Sequence, residues 1–185
     1  KSAGLQSQDV YDSLSASVRK RFPWLFINLL TAIAASVVID FYHETIQQIV
    51  ILAVLMPIIA SMAGNAGIQS ATVAVRAMAT KKFAMNNVRH MLRKEIALGA
   101  VNGLGLALVT SLGIALIYQD LSIAGIFAIA TVITMVVAGL SGAGLPFLLQ
   151  RLGTDPAISS GVFLTMLTDI VGFLAFLGLA SLLLL

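Results

Sequence analysis

Five apolar runs, at about 23–39, 46–76, 95–118, 122–149 and 157–185, leave this chain few folds to choose from. A helix needs about twenty apolar residues to cross the roughly 30 Å hydrocarbon layer of a bilayer, and these runs approach or exceed that length. None shows the strict alternation of a membrane-barrel strand, so the expected class is an all-α membrane protein with five transmembrane helices. Charge supports the same conclusion. Only 10% of the residues are charged and mean hydropathy is +1.00, whereas a soluble domain carries roughly 25% charged residues.

The segments between the runs set the domain organisation. Residues 1–21 form a polar lead-in in which Val10, Leu14 and Val18 recur every four residues, the spacing of a weakly amphipathic helix lying at the membrane surface. Residues 22–185 form the transmembrane domain, introduced by Arg19, Lys20, Arg21 and the interfacial anchor Trp24. The lead-in holds no short apolar core with a cleavage site, so no signal peptide is expected, and its abrupt polar start suggests a fragment of a longer chain. The second run combines Pro57 with Gly64, Asn65 and Gly67, a composition that can unwind a helix or let it pack very closely. In the basic stretch 76–94, Asn86 and Asn87 suggest a turn between two surface helical pieces. Gly99, Gly103, Gly105 and Gly113 space the third run for close helix contact. Gly139, Gly142, Gly144 and Pro146 predict a bend or tight packing in the lower half of the fourth. Thr154 or Asp155 is the expected N-cap of the fifth, with Pro156 at its first position.

Orientation follows from the basic residues. If the spans alternate, segments 1–22, 76–94 and 150–156 lie on one side and hold all eleven Lys and Arg. The positive-inside tendency makes that side cytoplasmic, so the amino end is expected inside and the carboxyl end outside. The expected location is the cell's inner (plasma) membrane, crossed several times. The basic stretch is read as a topology signal meeting anionic lipid headgroups, not as a nucleic-acid surface. Asp40, Glu44 and Asp120 leave the outer side acidic, either as a cation-concentrating mouth or as solvated helix ends. His43 and His90 are read as interfacial loop residues.

One residue breaks the apolar pattern outright. Asp169 lies near the middle of the last run, where a bare carboxylate costs at least about 2.5–3.5 kcal/mol and therefore faces a polar cavity, a partner or an ion. Thr165 and Gly172 share its helix face, giving a hydroxyl, a carboxylate and bare backbone in one stripe that suits a hydrated hard cation. The competing reading is a protonated or hydrogen-bonded Asp169 sealed against a neighbouring helix. Asn65, Gln69 and Thr72 offer oxygens from the second run, either towards a polar path or simply across a helix contact. The absence of cysteine excludes disulfides and thiolate chemistry. No phosphate-binding loop or nucleophile paired with a base is visible, so the chain is not expected to be an enzyme, and no organic cofactor is expected.

The segments Gly64-Asn65-Ala66-Gly67-Ile68-Gln69-Ser70-Ala71-Thr72, Val75-Arg76-Ala77-Met78-Ala79-Thr80, Leu145-Pro146-Phe147-Leu148-Leu149, Asp155-Pro156-Ala157 and Leu167-Thr168-Asp169 together resemble the transmembrane domain of the MgtE family of magnesium channels, related to the eukaryotic solute carrier 41 transporters. The resemblance implies a homodimer with its pore between subunits, conducting Mg2+ into the cytoplasm and admitting Co2+ or Mn2+. It implies that Asp169 holds hydrated Mg2+, with Thr165 and Gly172 at the site and Asn65, Gln69, Thr72 and Thr168 lining the pore. It further implies that residues 1–21 are the remnant of a helix connecting to amino-terminal and CBS regulatory domains. Some members of that family carry Asn where this chain has Ile68, Gly139 and Gly161. Two rival readings are an ion-coupled Mg2+ transporter or exchanger and a non-conducting membrane anchor.

Overall fold

A computed structural model describes residues 13–79, 86–153 and 156–185, without the side chains of residues 86–87 and 156–159. The described chain is helical: α1 (Leu14–Phe41), α2 (His43–Gln48), α3 (Ile51–Ala79), α4 (Asn86–Tyr118), α5 (Leu121–Arg151) and α6 (Pro156–Leu184). Five of these, all but the short α2, are long and apolar enough to cross a membrane, as the runs of the sequence predict. A helix satisfies its own backbone hydrogen bonds, which is what lets so apolar a chain stay in lipid.

Several local features differ from expectation. The described part of the lead-in does not stand apart from the first span: α1 continues from Leu14 through Pro23 to Phe41. Likewise α3 passes through Pro57 and Gly64–Gly67 without unwinding, and α5 passes through Pro146. Both helices are closely packed where Gly67, Gly139 and Gly142 meet neighbouring backbone or side chains. Asn86 and Asn87 open α4 and make no turn inside the described chain, and His90 and His43 lie within helices α4 and α2. The second run does not start as one helix near Ile46, because α2 ends at Gln48 and α3 begins at Ile51. Thr154 and Asp155, the expected cap of α6, fall outside the described residues, and Pro156 does stand at the first helical position.

α5 is the central element, packed against α3, α4 and α6, while α3 also meets α6 and α1 leans mainly on α6. In the half of the bundle holding the α1–α2 and α4–α5 turns, the core is built from large side chains: Leu52, Leu55 and Ile59 of α3, Phe127 of α5, and Phe173, Phe176 and Leu177 of α6. Phe127 and Phe176 meet edge to face at 5.4 Å between ring centroids, a favourable aromatic arrangement. Tyr42 sets its hydroxyl against Gly178 and ties the end of α1 to α6.

The other half is assembled on glycine. Gly142 of α5 lies against the Gly67 carbonyl of α3, and Gly99 and Gly139 form the α4–α5 crossing against the carbonyls of Met135 and Glu95. Without a Cβ, backbones approach closely and van der Waals contact replaces the hydrophobic drive that lipid does not supply. Asp120 caps α5, its Oδ1 accepting from the backbone N–H of Ser122 at 2.8 Å and of Ile123 at 3.0 Å. Of the two readings for this acid, the helix end is therefore the one with a visible structural role.

Candidate ion pathway

Asp169 sits in α6 thirteen residues after Pro156 and fifteen before Leu184, placing it about 20 Å and 22 Å from the two ends at 1.5 Å per residue. Gly67 faces Leu164, and Gly172 faces Ile59 and Thr134. These contacts fix α6 against α3 and put Asp169 level with the 62–65 turn of α3. Its side chain is partly buried, just below the apolar cluster that begins with Ile170 and Phe173. Among the described residues it makes no hydrogen bond or ion pair.

The neighbouring hydroxyls are committed to their own helix. Thr165 donates to the Gly161 carbonyl at 2.9 Å. Thr168 is fully buried and donates to the carbonyls of Leu164 and Thr165. Gly172 is buried as well, its open side filled by Ile59 and Thr134. Thr165 and Asp169 therefore stand towards the accessible side of α6, while Thr168 and Gly172 turn into the bundle.

On α3, Ser61, Asn65, Gln69 and Thr72 are all exposed and follow one another at four, four and three residues, the spacing of a single helical face. This polar stripe divides two open regions. On one side Thr72, Ile68 and Ala71 meet Ser160, Gly161 and Leu164 of α6 around a cavity of about 350 Å3, one turn below Thr165. On the other side Asn65 and Gln69 line a crevice with Asn102 of α4. The structure thus brings Thr72 to the α6 groove below Asp169 and aims Asn65 and Gln69 at α4. Gly161 borders the groove with nothing against its open side.

A residue not singled out from the sequence emerges at the α3–α4–α5 contact. Glu95 is only 7% exposed and accepts a 2.7 Å hydrogen bond from Ser70 of α3. Next to Arg93 and Lys94 it reads as the edge of a charged loop. Its spacing tells otherwise: Met91, Glu95, Gly99, Gly103 and Ala107 recur every four residues and are all buried, so Glu95 belongs to the stripe that α4 packs on α5.

Comparison with known proteins agrees with this architecture. The model of the MgtE family, described as a divalent cation transporter, matches residues 56–179, from α3 to near the end of α6. The chain is 32% identical over 179 residues to a magnesium transporter MgtE of Enterococcus faecalis, covering 97% of this chain and 40% of that protein. It is 34% identical over 169 residues to a magnesium transporter MgtE of Thermus thermophilus, covering 89% of this chain and 36% of the relative. A Bacillus subtilis protein of the same name is 31% identical over 167 residues. The chain therefore spans about two fifths of the length of these relatives. A family match over most of the bundle, together with five apolar helices and a lone acid in the last of them, leaves one assignment: this multi-pass membrane chain belongs to the MgtE family.

Proposed function

We propose that this chain is the pore-forming membrane domain of a homodimeric Mg2+ channel, with Asp169 of each subunit facing the other across the conduit. The observation that carries the reading is Asp169 itself, at mid-helix and without a partner among the described residues. An uncompensated carboxylate at that depth is costly unless water or a cation reaches it. The exposed stripe of Asn65, Gln69 and Thr72 has the same requirement, and a subunit boundary filled with water meets both.

In this reading Mg2+ keeps most of its water shell, held by Asp169 with Thr165 beside it. Gly172 and Thr168, turned inward, let α6 seat against α3 and α5 and so fix the direction in which Asp169 projects. Thr72 lines the inner mouth with Gly161, and Co2+ and Mn2+ share the oxygen-lined path. The amino end is cytoplasmic, the carboxyl end is outside the inner membrane, and cytoplasmic amino-terminal and CBS domains complete the protein. The membrane potential then favours entry of a divalent ion by about 4.6 kcal/mol per 100 mV, at 2.3 kcal/mol for each charge.

The test is Mg2+ flux in proteoliposomes for the wild type and Asp169→Asn. Flux is expected to fall at least about tenfold, equivalent to a 1.4 kcal/mol loss of ion stabilisation, while the dimer persists by size. Unchanged flux in a folded dimer would show that ions do not pass Asp169, and wild-type flux no greater than in protein-free liposomes would show a membrane anchor instead. A current reversing at the Mg2+ equilibrium potential marks a channel, whereas a reversal set by Na+ or H+ marks coupled exchange.

A further inference from the structure

We propose that the crevice between α3 and α4 is a second cation site, distinct from Asp169, in which Glu95 holds a hard cation with help from Gln69, Asn102 and water. Glu95 is carried into the bundle by the glycine crossing of α4 on α5, since Gly139 lies against the carbonyl of Glu95 itself and Gly99, one turn on, against that of Met135. It is more than nine-tenths buried. Its one hydrogen bond among the described residues comes from Ser70 and ends on Oε2. A carboxylate can accept about four such bonds, so most of its acceptor capacity is directed elsewhere.

That remaining capacity faces space. Glu95 lines a cavity of about 160 Å3 together with Ser70, Gln69 and Asn102, well above the roughly 10–15 Å3 that a single water needs. Gln69 and Asn102 also line the adjoining cavity of about 570 Å3, to which Asn65 adds a third amide. The two spaces share Ala66, Gln69, Asn102 and Met135 in their walls and so adjoin along α3, with the amides and Glu95 set among apolar side chains. No Lys or Arg lines either of them, so nothing on the described surface neutralises the buried charge. A buried charge without a counter-charge is unfavourable, and one carboxylate with amide and water oxygens is the ligand set of a hard cation that keeps part of its hydration. In contrast with Thr165 and Thr168, whose hydroxyls return to their own helix, Ser70 commits its hydroxyl across the helix contact. That bond holds the carboxylate at the cavity wall.

Binding here does not depend on ions moving past Asp169, so failure of this site and failure of the transport reading are separable. The experiment is anomalous diffraction from crystals of the full-length protein soaked with Mn2+ and, separately, with Tl+. A peak is expected beside Glu95 with at least one of these ions. It should persist in Asp169→Asn and vanish in Glu95→Gln. No peak with either ion in the wild type overturns the proposal, and this result requires no variant to fold. A peak that survives Glu95→Gln also overturns it. So does a protonated-carboxyl infrared band that Glu95→Gln removes, because it would show a neutral acid in place of an ion ligand.

Discussion

Glycines at a helix crossing and glycines beside open space are the same letter in the sequence but have opposite consequences for a side chain placed there. A Cβ on Gly139 would run into the Glu95 carbonyl, whereas one on Gly161 meets nothing within 4 Å. Gly139→Asn is therefore expected to cost about 1–3 kcal/mol through overpacking, read as a lower unfolding midpoint in detergent. Gly161→Asn should leave that midpoint nearly unchanged, and equal midpoints for the two variants would contradict the crossing geometry. Two acids within the apolar runs, Asp169 and Glu95, differ in the same way. Asp169 is legible because an apolar run of 29 residues surrounds it. Glu95 is hidden by Arg93 and Lys94, and only its four-residue spacing from Gly99 and Gly103 points inward. Whether a particular hydroxyl faces a pore is not legible at all: Thr165 and Thr168 are both plausible from sequence, yet the second is fully buried.

At the scale of elements, the two ends of the bundle are held by different means. Large side chains fill the end containing Phe127 and Phe176, while glycine contacts join α3, α4 and α5 at the end containing Gly67, Gly139 and Gly142. A double-mutant cycle with Phe127→Ala and Phe176→Ala should give a coupling of about 0.5–1.5 kcal/mol, the range for edge-to-face aromatic pairs. Reversible unfolding in mixed micelles measures it, and additive effects would mean that the rings do not interact as placed. Helix number was legible because hydropathy reports length directly. Helix interruption was not. Pro23, Pro57 and Pro146 all signal a break in water, but in a membrane bundle neighbouring helices can accommodate the lost hydrogen bond. The short α2 escaped notice because its six residues, His43–Gln48, are too few and too polar to show a period.

For the molecule as a whole, the arrangement of charge and the proposed path constrain each other. Arg76, Arg89, Arg93 and Arg151 lie at the end of the bundle where Thr72 and Gly161 border the α3–α6 groove, while Asp40, Glu44 and Asp120 lie at the other. If the basic end is cytoplasmic, the groove is the inner mouth and Asp169 is reached from outside only past the level of the aromatic core. Reversing the molecule would exchange these roles but leave the electrical gradient for an entering cation unchanged. The absence of native cysteine makes the orientation directly testable, since any introduced thiol is the only one in this chain. Leu121, 80% exposed at the start of α5, and Leu152, 70% exposed just past its end, are suitable reporters on opposite sides. In intact cells a membrane-impermeant maleimide should label Leu121→Cys at once and label Leu152→Cys only after permeabilisation. The opposite pattern would place the basic segments outside. It would also turn the α3–α6 groove into an outer vestibule, so that an entering ion would meet Thr72 and Gly161 before Asp169.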